Sequence, residues 1–223
     1  MLETLDVMIN AVPYLVGGMG VTVAAVIGGM VLGLVIGVPL AVAQVYGPAP
    51  LGWLAGIYVW FFRGVPILVL LFLFYFGLFN MIGLNISALA ATTLVLGLAS
   101  GAYQSQIFRG SILSLSQGQF RAASAVGMSD GQAIRAIILP QALRLSLPGW
   151  SNEYSIILKD SALAFVLGTQ EIMARTHFVA SRTYEHLALY AVAALLYFLL
   201  TWAGIKGLRA FERRVAMRGY GHA

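Results

Sequence analysis

The chain has 223 residues, of which 60% are hydrophobic and only 9% charged, and it carries a formal net charge of +5. A mean hydropathy of +0.88 argues against a soluble domain and indicates membrane-spanning helices. The sequence contains no cysteine, which excludes disulfides and thiolate metal sites, and its three histidines lack metal-ligand spacing. The basic residues flank apolar runs, a placement typical of membrane topology rather than of nucleic-acid binding.

The predicted fold class is an all-α membrane protein, a single domain of about five transmembrane helices, because runs of about 20 apolar residues can cross a bilayer. The predicted spans are residues 14–43, 65–84, 86–108, 143–168 and 187–208.

The first span contains a glycine at every fourth position of one stretch: Gly29, Gly33 and Gly37. Small residues at this spacing allow another helix to approach closely in lipid. That helix belongs either to the same chain or to a second subunit, and the sequence leaves both alternatives open.

Polar residues mark the second and third spans. The sequence Arg63-Gly64-Val65-Pro66 precedes the second span and places Arg63 near the membrane boundary. Its side chain either reaches the lipid headgroups as an anchor or faces a polar pathway. In the third span, Gln106 must find a hydrogen-bond partner, so it either bonds a neighbouring helix or lines a polar cavity.

The segment between the third and fourth spans, residues 118–140, is amphipathic and predicts two short helices joined at Gly127. Ser129 and Gln132 have the spacing of a capping box that opens the second helix. Pro140 is expected to end or kink that helix. A short, stiff element fixed between two spans indicates a docking site for another protein.

The fourth span is unusually polar. Glu153 and Asp160 are two helical turns apart and therefore share a face. Ionisable groups at membrane depth usually face a cavity or a partner. These acids belong either to an internal salt bridge with Lys159 or to a polar site for a charged solute, where Asn152 adds hydrogen bonds.

The sequence at each end of the fourth span predicts a further structural feature. Pro148-Gly149 is expected to break the start of the helix and to free backbone groups for a ligand. Residues 169–186 are expected to form a polar loop before the fifth span.

Lysine and arginine counts predict the orientation. With five spans, residues 118–140 and the C-terminus share one side, which should be cytoplasmic because it is rich in basic residues. The N-terminus is then outside. The basic residues of the cytoplasmic side are Arg109, Arg121, Arg135, Arg144, Lys206, Arg209, Arg213, Arg214 and Arg218, against Arg175 and Arg182 outside.

Several short motifs follow one another along the chain. Residues 118–140 contain Ala-Ala, three residues, Gly, nine residues and Ile-x-Leu-Pro. The other motifs are FRGVP at 62–66, GAY at 101–103, FRG at 108–110 and KDS at 159–161. Together they resemble the transmembrane permease subunits of bacterial ABC importers for polar amino acids, the histidine, arginine, glutamine and glutamate group, over nearly the whole chain.

The resemblance implies a type I ABC importer permease fold in the bacterial cytoplasmic membrane. Residues 118–140 would be the coupling helix that docks on a cytoplasmic ATPase. Arg121 stands where the family usually has glutamate, which reverses a charge at the expected docking surface. The coupling residues carried over are Arg121, Ala122, Ala123, Gly127, Met128, Leu139 and Pro140.

The resemblance also implies the partners. These are two cytoplasmic ATP-binding subunits, a second permease chain that is identical or related, an extracellular or periplasmic solute-binding protein, an amino-acid substrate and membrane lipid. ATP and magnesium would bind to the ATPase, since this chain lacks a GxxxxGK[ST] phosphate loop and is expected not to be an enzyme. The alternative function is a subunit of an ion-gradient-driven secondary amino-acid transporter.

An amino-acid zwitterion needs an anionic partner for its ammonium group and cationic donors for its carboxylate. The acids of the fourth span suit the ammonium group, and Arg63 or Lys159 suits the carboxylate. Gln106 stands where many relatives have a glutamate. The candidate substrate-binding residues are Arg63, Gln106, Asn152, Glu153, Lys159 and Asp160.

Overall fold

The computed structural model describes residues 2–215, and every regular element in that part of the chain is helical, which confirms the all-α prediction. Arg218 and His222 lie outside the described residues. Two π-helical segments, Leu73–Leu78 and Ile134–Ile138, join α4 to α5 and α8 to α9, and the 3-10 helix Ser161–Leu167 extends α10. The helices are α1 (Leu2–Val16), α2 (Met19–Tyr46), α3 (Ala49–Gly64), α4 (Ile67–Phe72), α5 (Phe79–Met81), α6 (Ala88–Ser114), α7 (Gln117–Ala125), α8 (Asp130–Ala133), α9 (Leu139–Leu145), α10 (Leu147–Asp160), α11 (Ile172–Thr183) and α12 (His186–Val215).

Helices α2 and α6 pack against each other along much of their length. The glycine stripe of α2 makes this possible: a Cβ on Gly33 would lie 3.0 Å from Ser100 Cβ, and one on Gly37 would lie 3.0 Å from the backbone nitrogen of Ser105. The stripe therefore serves packing within the chain, the first of the two alternatives.

The chain bends by 105° between α3 and the helical segment Ile67–Met81. Val65 has extended backbone angles at the end of α3, and Pro66 stands before α4. Proline has no N–H to donate and keeps the preceding residue out of the helical region, which accounts for the break. The predicted second span, residues 65–84, therefore follows a further helix, α3.

Two helical stretches in the described chain are long and apolar enough to cross a membrane: Thr4–Tyr46, which comprises α1 and α2, and His186–Val215. The bent pair Ala49–Gly64 with Ile67–Met81 makes a third if it is counted as one span. The predicted third and fourth spans correspond to α6 and to α10 with its 3-10 extension, which carry polar side chains. The number of five spans stays a prediction.

The first part of the segment between α6 and α10 has the predicted turn and capping box. α7 ends before Gly127, whose φ of +81° is a left-handed conformation that glycine adopts without strain. The Ser129 backbone N–H donates to Gln132 Oε1 at 2.9 Å, and the Gln132 N–H donates to Ser129 Oγ, which completes the capping box.

Pro140 does not end the second helix, which was one of the two predicted effects; a kink at this position stays a prediction. It lies in the first turn of α9, directly after the π-helical segment Ile134–Ile138. A π segment changes the hydrogen-bond ladder locally, and this accommodates a residue that cannot donate. The chain stays helical to Leu145.

The start of the fourth span is interrupted at Ser146, two residues before the expected position at Pro148-Gly149. α9 and α10 meet at Ser146, and Pro148 occupies the first turn of α10, where a missing N–H is tolerated. The Ser146 N–H donates to the Ala142 carbonyl at 2.9 Å, and the Trp150 N–H donates to the Ser146 carbonyl at 2.8 Å. That this junction frees backbone groups for a ligand stays a prediction.

Residues 169–186 contain the helix α11 where a polar loop was predicted. Glu171 caps its start by accepting from the Ala174 N–H at 2.7 Å, and the Tyr197 hydroxyl of α12 donates to the other carboxylate oxygen. Ile172 and Ala180 are buried against α12 and α1. The apolar residues of α11 thus pack into a hydrophobic core, and the polar residues of the same segment made this difficult to predict from the sequence.

Candidate functional site

A cavity of about 360 Å³ lies between the end of α3, the middle of α6 and the middle of α10. The bend at Val65-Pro66 forms one wall, and apolar residues such as Leu96 and Ile157 line the rest. Its charged and hydroxyl-bearing residues are Arg63, Ser100, Tyr103, Glu153 and Asp160.

The carboxylate of Glu153 is only 3% exposed and accepts a hydrogen bond from Ser100 Oγ at 2.7 Å. Asp160 lines the same cavity two turns further along α10 and is partly buried. A buried carboxylate is costly without partners, so a positively charged group beside this pair would be stabilised.

Arg63 supplies positive charge at the same cavity. It lies in the last turn of α3, and its guanidinium stands over the ring of Tyr103, 5.1 Å from the centroid. This arrangement orients the guanidinium and leaves its donors available for a carboxylate. The cavity therefore combines a cation and two acids.

Three of the predicted binding residues lie elsewhere. Gln106 Nε2 donates to Gln44 Oε1 on α2 at 3.0 Å. Lys159 is exposed. Asn152 faces a separate groove of about 460 Å³, lined also by Arg209 and Arg213 of α12.

Ser100 and Tyr103 were not among the predicted binding residues, although Tyr103 belongs to the GAY motif at 101–103. A signal was present, since Ser100, Tyr103 and Gln104 recur at helical spacing within an otherwise apolar span.

The predicted coupling residues lie in α7, in the turn that follows it and at the start of α9. Arg121, Ala122, Gly127 and Pro140 are exposed, whereas Ala123 is buried and anchors α7. Met128 and Leu139 are partly buried. Beside them lies an open concavity of about 880 Å³, and Val126, which is 78% exposed, stands at its edge.

No group of three histidine or carboxylate side chains that could hold a metal ion occurs among the described residues.

Comparison with known proteins identifies the class. The family model for the binding-protein-dependent transport system inner membrane component matches residues 33–217. This range includes α6, the whole segment from α7 to α9, and the residues that line the cavity. The chain belongs to this family and is a multi-pass membrane component of a transport system.

Individual relatives agree over almost the full length. The probable amino-acid ABC transporter permease protein YckA of Bacillus subtilis is 36% identical over 214 residues, covering 96% of this chain and 92% of the relative. The arginine transport system permease protein ArtQ of the same organism is 32% identical, covering 93% of this chain and 94% of the relative.

A crystal structure of an amino acid ABC transporter with histidines matches with a TM-score of 0.82 and 32% identity, covering 93% of this chain and 96% of that chain. The fold is therefore that of the ABC importer permeases.

Proposed function

We propose that this chain is the membrane subunit of an ATP-driven importer of polar amino acids, and that the cavity between α3, α6 and α10 binds the amino acid. The observation that carries the proposal is the pairing of a cation with two acids around one cavity. A zwitterion would place its carboxylate against Arg63 and its ammonium group against Glu153 and Asp160, with hydrogen bonds from Ser100 and Tyr103. The names of YckA and ArtQ support an amino-acid substrate.

Asn152, Gln106 and Lys159 remain predictions from the sequence. They line no part of this cavity in the present conformation, so a role in binding would require a rearrangement of α10 or α6.

The family supports the following partners, and so does the surface formed by α7, α8 and the turn between them, which we call the docking surface. Two cytoplasmic ATPases bind ATP and magnesium and contact the coupling residues from Arg121 to Pro140. A second permease chain, identical or related, completes the pathway, and an extracellular or periplasmic solute-binding protein delivers the substrate. The excess of basic residues around residues 118–140 and in α12 supports a cytoplasmic C-terminus and an external N-terminus.

The mechanism requires that the ATPases move the docking surface and that this motion reaches the cavity. α9 and α10 meet at Ser146, whose backbone bonds both helices, so displacement of α9 would also displace Glu153 and Asp160. Access to the cavity would then alternate between the two sides of the membrane.

The test is uptake in proteoliposomes that contain this chain with its ATPase, its second permease and its binding protein. We expect ATP-dependent uptake of a polar amino acid from a labelled panel, and loss of uptake when the ATPase is inactivated. Uptake that is independent of ATP and follows a proton or sodium gradient contradicts the proposal.

A further inference from the structure

A chain of hydrogen bonds connects α10 to α6 and returns to α10 one turn later. Trp150 Nε1 donates to Gln104 Oε1 at 2.7 Å, Gln104 Nε2 donates to Ser100 Oγ at 3.0 Å, and Ser100 Oγ donates to Glu153 Oε1 at 2.7 Å. Every donor points towards the carboxylate. Hydrogen bonds arranged in one sense polarise and strengthen one another in a medium of low dielectric constant.

The α6 end of this hydrogen-bond chain is held firmly. Gln104 is fully buried, and its Nε2 also donates to the Met30 carbonyl of α2 at 3.0 Å. The amide occupies space that only a glycine leaves open, because a Cβ on Gly33 would lie 2.5 Å from Gln104 Nε2. Gln104 and Ser100 are thus fixed to the packed pair α2 and α6.

The α10 end continues into the segment that leads to the docking surface, because α10 follows α9 through Ser146. Trp150 packs against a cluster that contains Ile138 and Ala142 and also Ala41 of α2 and Phe108 of α6. Motion of α10 relative to α6 would therefore have to break the hydrogen bonds that Trp150 and Ser100 donate. The hydrogen-bond chain thus joins α10 to the packed pair α2 and α6.

We propose that Trp150 and Gln104 are positioning residues that hold α10 against α6 until substrate arrives. This rests on the proposed function, which places the substrate ammonium group at Glu153. The ammonium group competes with the Ser100 hydroxyl for the carboxylate, and the ionic contact is the stronger of the two. Substrate binding then weakens the hydrogen-bond chain and favours conformations in which α10 and the docking surface have moved.

The test uses the transporter assembled with its ATPase in proteoliposomes. Trp150→Phe keeps an aromatic ring but removes the N–H donor. We expect ATP hydrolysis without substrate to rise about threefold to tenfold, because one hydrogen bond no longer stabilises the resting arrangement. Stimulation by the transported amino acid should fall by a similar factor. Trp202→Phe is the matched control, since that indole is 53% exposed on α12, and both rates should stay unchanged.

A double-mutant cycle tests whether the two residues act together. Gln104→Leu removes both polar groups at the centre of the hydrogen-bond chain. Adding Trp150→Phe to Gln104→Leu should therefore change ATP hydrolysis little further. If Gln104→Leu does not assemble, Ser100→Ala takes its place in the cycle.

Three results overturn the inference while leaving the proposed function intact: unchanged rates in Trp150→Phe, additive effects in the cycle, or a parallel fall of both rates with a lower melting temperature. The last of these indicates a purely structural role. Failure of the proposed function is recognised separately, because the unmodified transporter would then show no ATP-dependent uptake of any amino acid.

Discussion

At the residue scale, helical spacing placed Glu153 and Asp160 on one face of the fourth span, and both line the cavity. Asn152 is next to Glu153 in sequence but lies about 100° around the helix, so it faces the groove beside α12. The position of Arg63 depends on the bend at Pro66 and on the packing of α3 against α6. Spacing along one helix contains no information about such contacts between helices.

The carboxylate of Glu153 is the first group to alter. Glu153→Gln keeps the size of the side chain and an acceptor for Ser100, but it removes the charge that would bind an ammonium group. A charge-assisted hydrogen bond contributes roughly 1.5–3 kcal/mol, so the KM for uptake should rise about tenfold to hundredfold. Uptake by proteoliposomes measures this change.

The control for this variant is Glu212→Gln, which removes a carboxylate from the separate groove beside α12. It should leave the KM for uptake unchanged. Unaltered uptake of every amino acid by Glu153→Gln, with normal assembly, would remove Glu153 from the site.

At the element scale, the spacing of glycines in α2 predicted a close helix contact, and the structure identifies α6 as the partner. The α11 helix was missed because its buried residues, Ile172, Thr176 and Ala180, are interspersed with charged and polar residues, and the core that Ile172 and Ala180 join lies on α12. The π segment before Pro140 was also not predicted, because the spacing of apolar residues does not distinguish π from α hydrogen bonding.

The packing of α2 on α6 yields a second prediction. Gly33→Ala forces a methyl group against Gln104 and Ser100 and should lower the melting temperature in detergent, with a cost of about 1–3 kcal/mol. Gly56→Ala is the matched control, because no atom of a neighbouring element lies within 4 Å of the position that its methyl group would occupy, and alanine is the better helix former. Equal melting temperatures for the two variants would contradict tight packing at Gly33.

The turn of the docking surface yields a third prediction. Gly127→Ala places a side chain at a φ of +81°, which costs about 1–2 kcal/mol although the space around it is open. Binding of the ATPase subunits and substrate-stimulated ATP hydrolysis should weaken.

Gly131→Ala tests whether this effect comes from the backbone conformation. Gly131 belongs to the same surface and is equally open, but it does not have a positive φ. We expect binding and hydrolysis to be retained in this variant. A loss of similar size in both variants would mean that added bulk, not the turn conformation, is responsible.

At the scale of the whole molecule, composition was sufficient to predict a membrane protein, and basic residues were sufficient to predict an orientation. Neither composition nor the basic residues could predict that α3 and α10 pack around a cavity, because this packing arises from contacts between segments far apart in sequence.

The orientation gives a fourth prediction. The sequence has no cysteine, so single cysteines can be introduced without background labelling. Ser124 in α7 and Ser181 in α11 are a matched pair, since both are exposed and both donate to the carbonyl four residues earlier. A membrane-impermeant maleimide should label Ser181→Cys in intact cells and Ser124→Cys only in inside-out vesicles. The reverse pattern would invert the orientation.

The cavity walls belong to different parts of the molecule, and this affects how tightly a ligand is held. Arg63 lies on α3 and Tyr103 on α6, whereas both acids lie on α10. The distance from Leu139 to Glu153 along the helices is about 21 Å, so a tilt of about 5° displaces the carboxylate by about 2 Å. A zwitterion of fixed length then loses contact at one end. The movement that changes access would also lower affinity, so release into the cytosol needs no separate step to weaken binding.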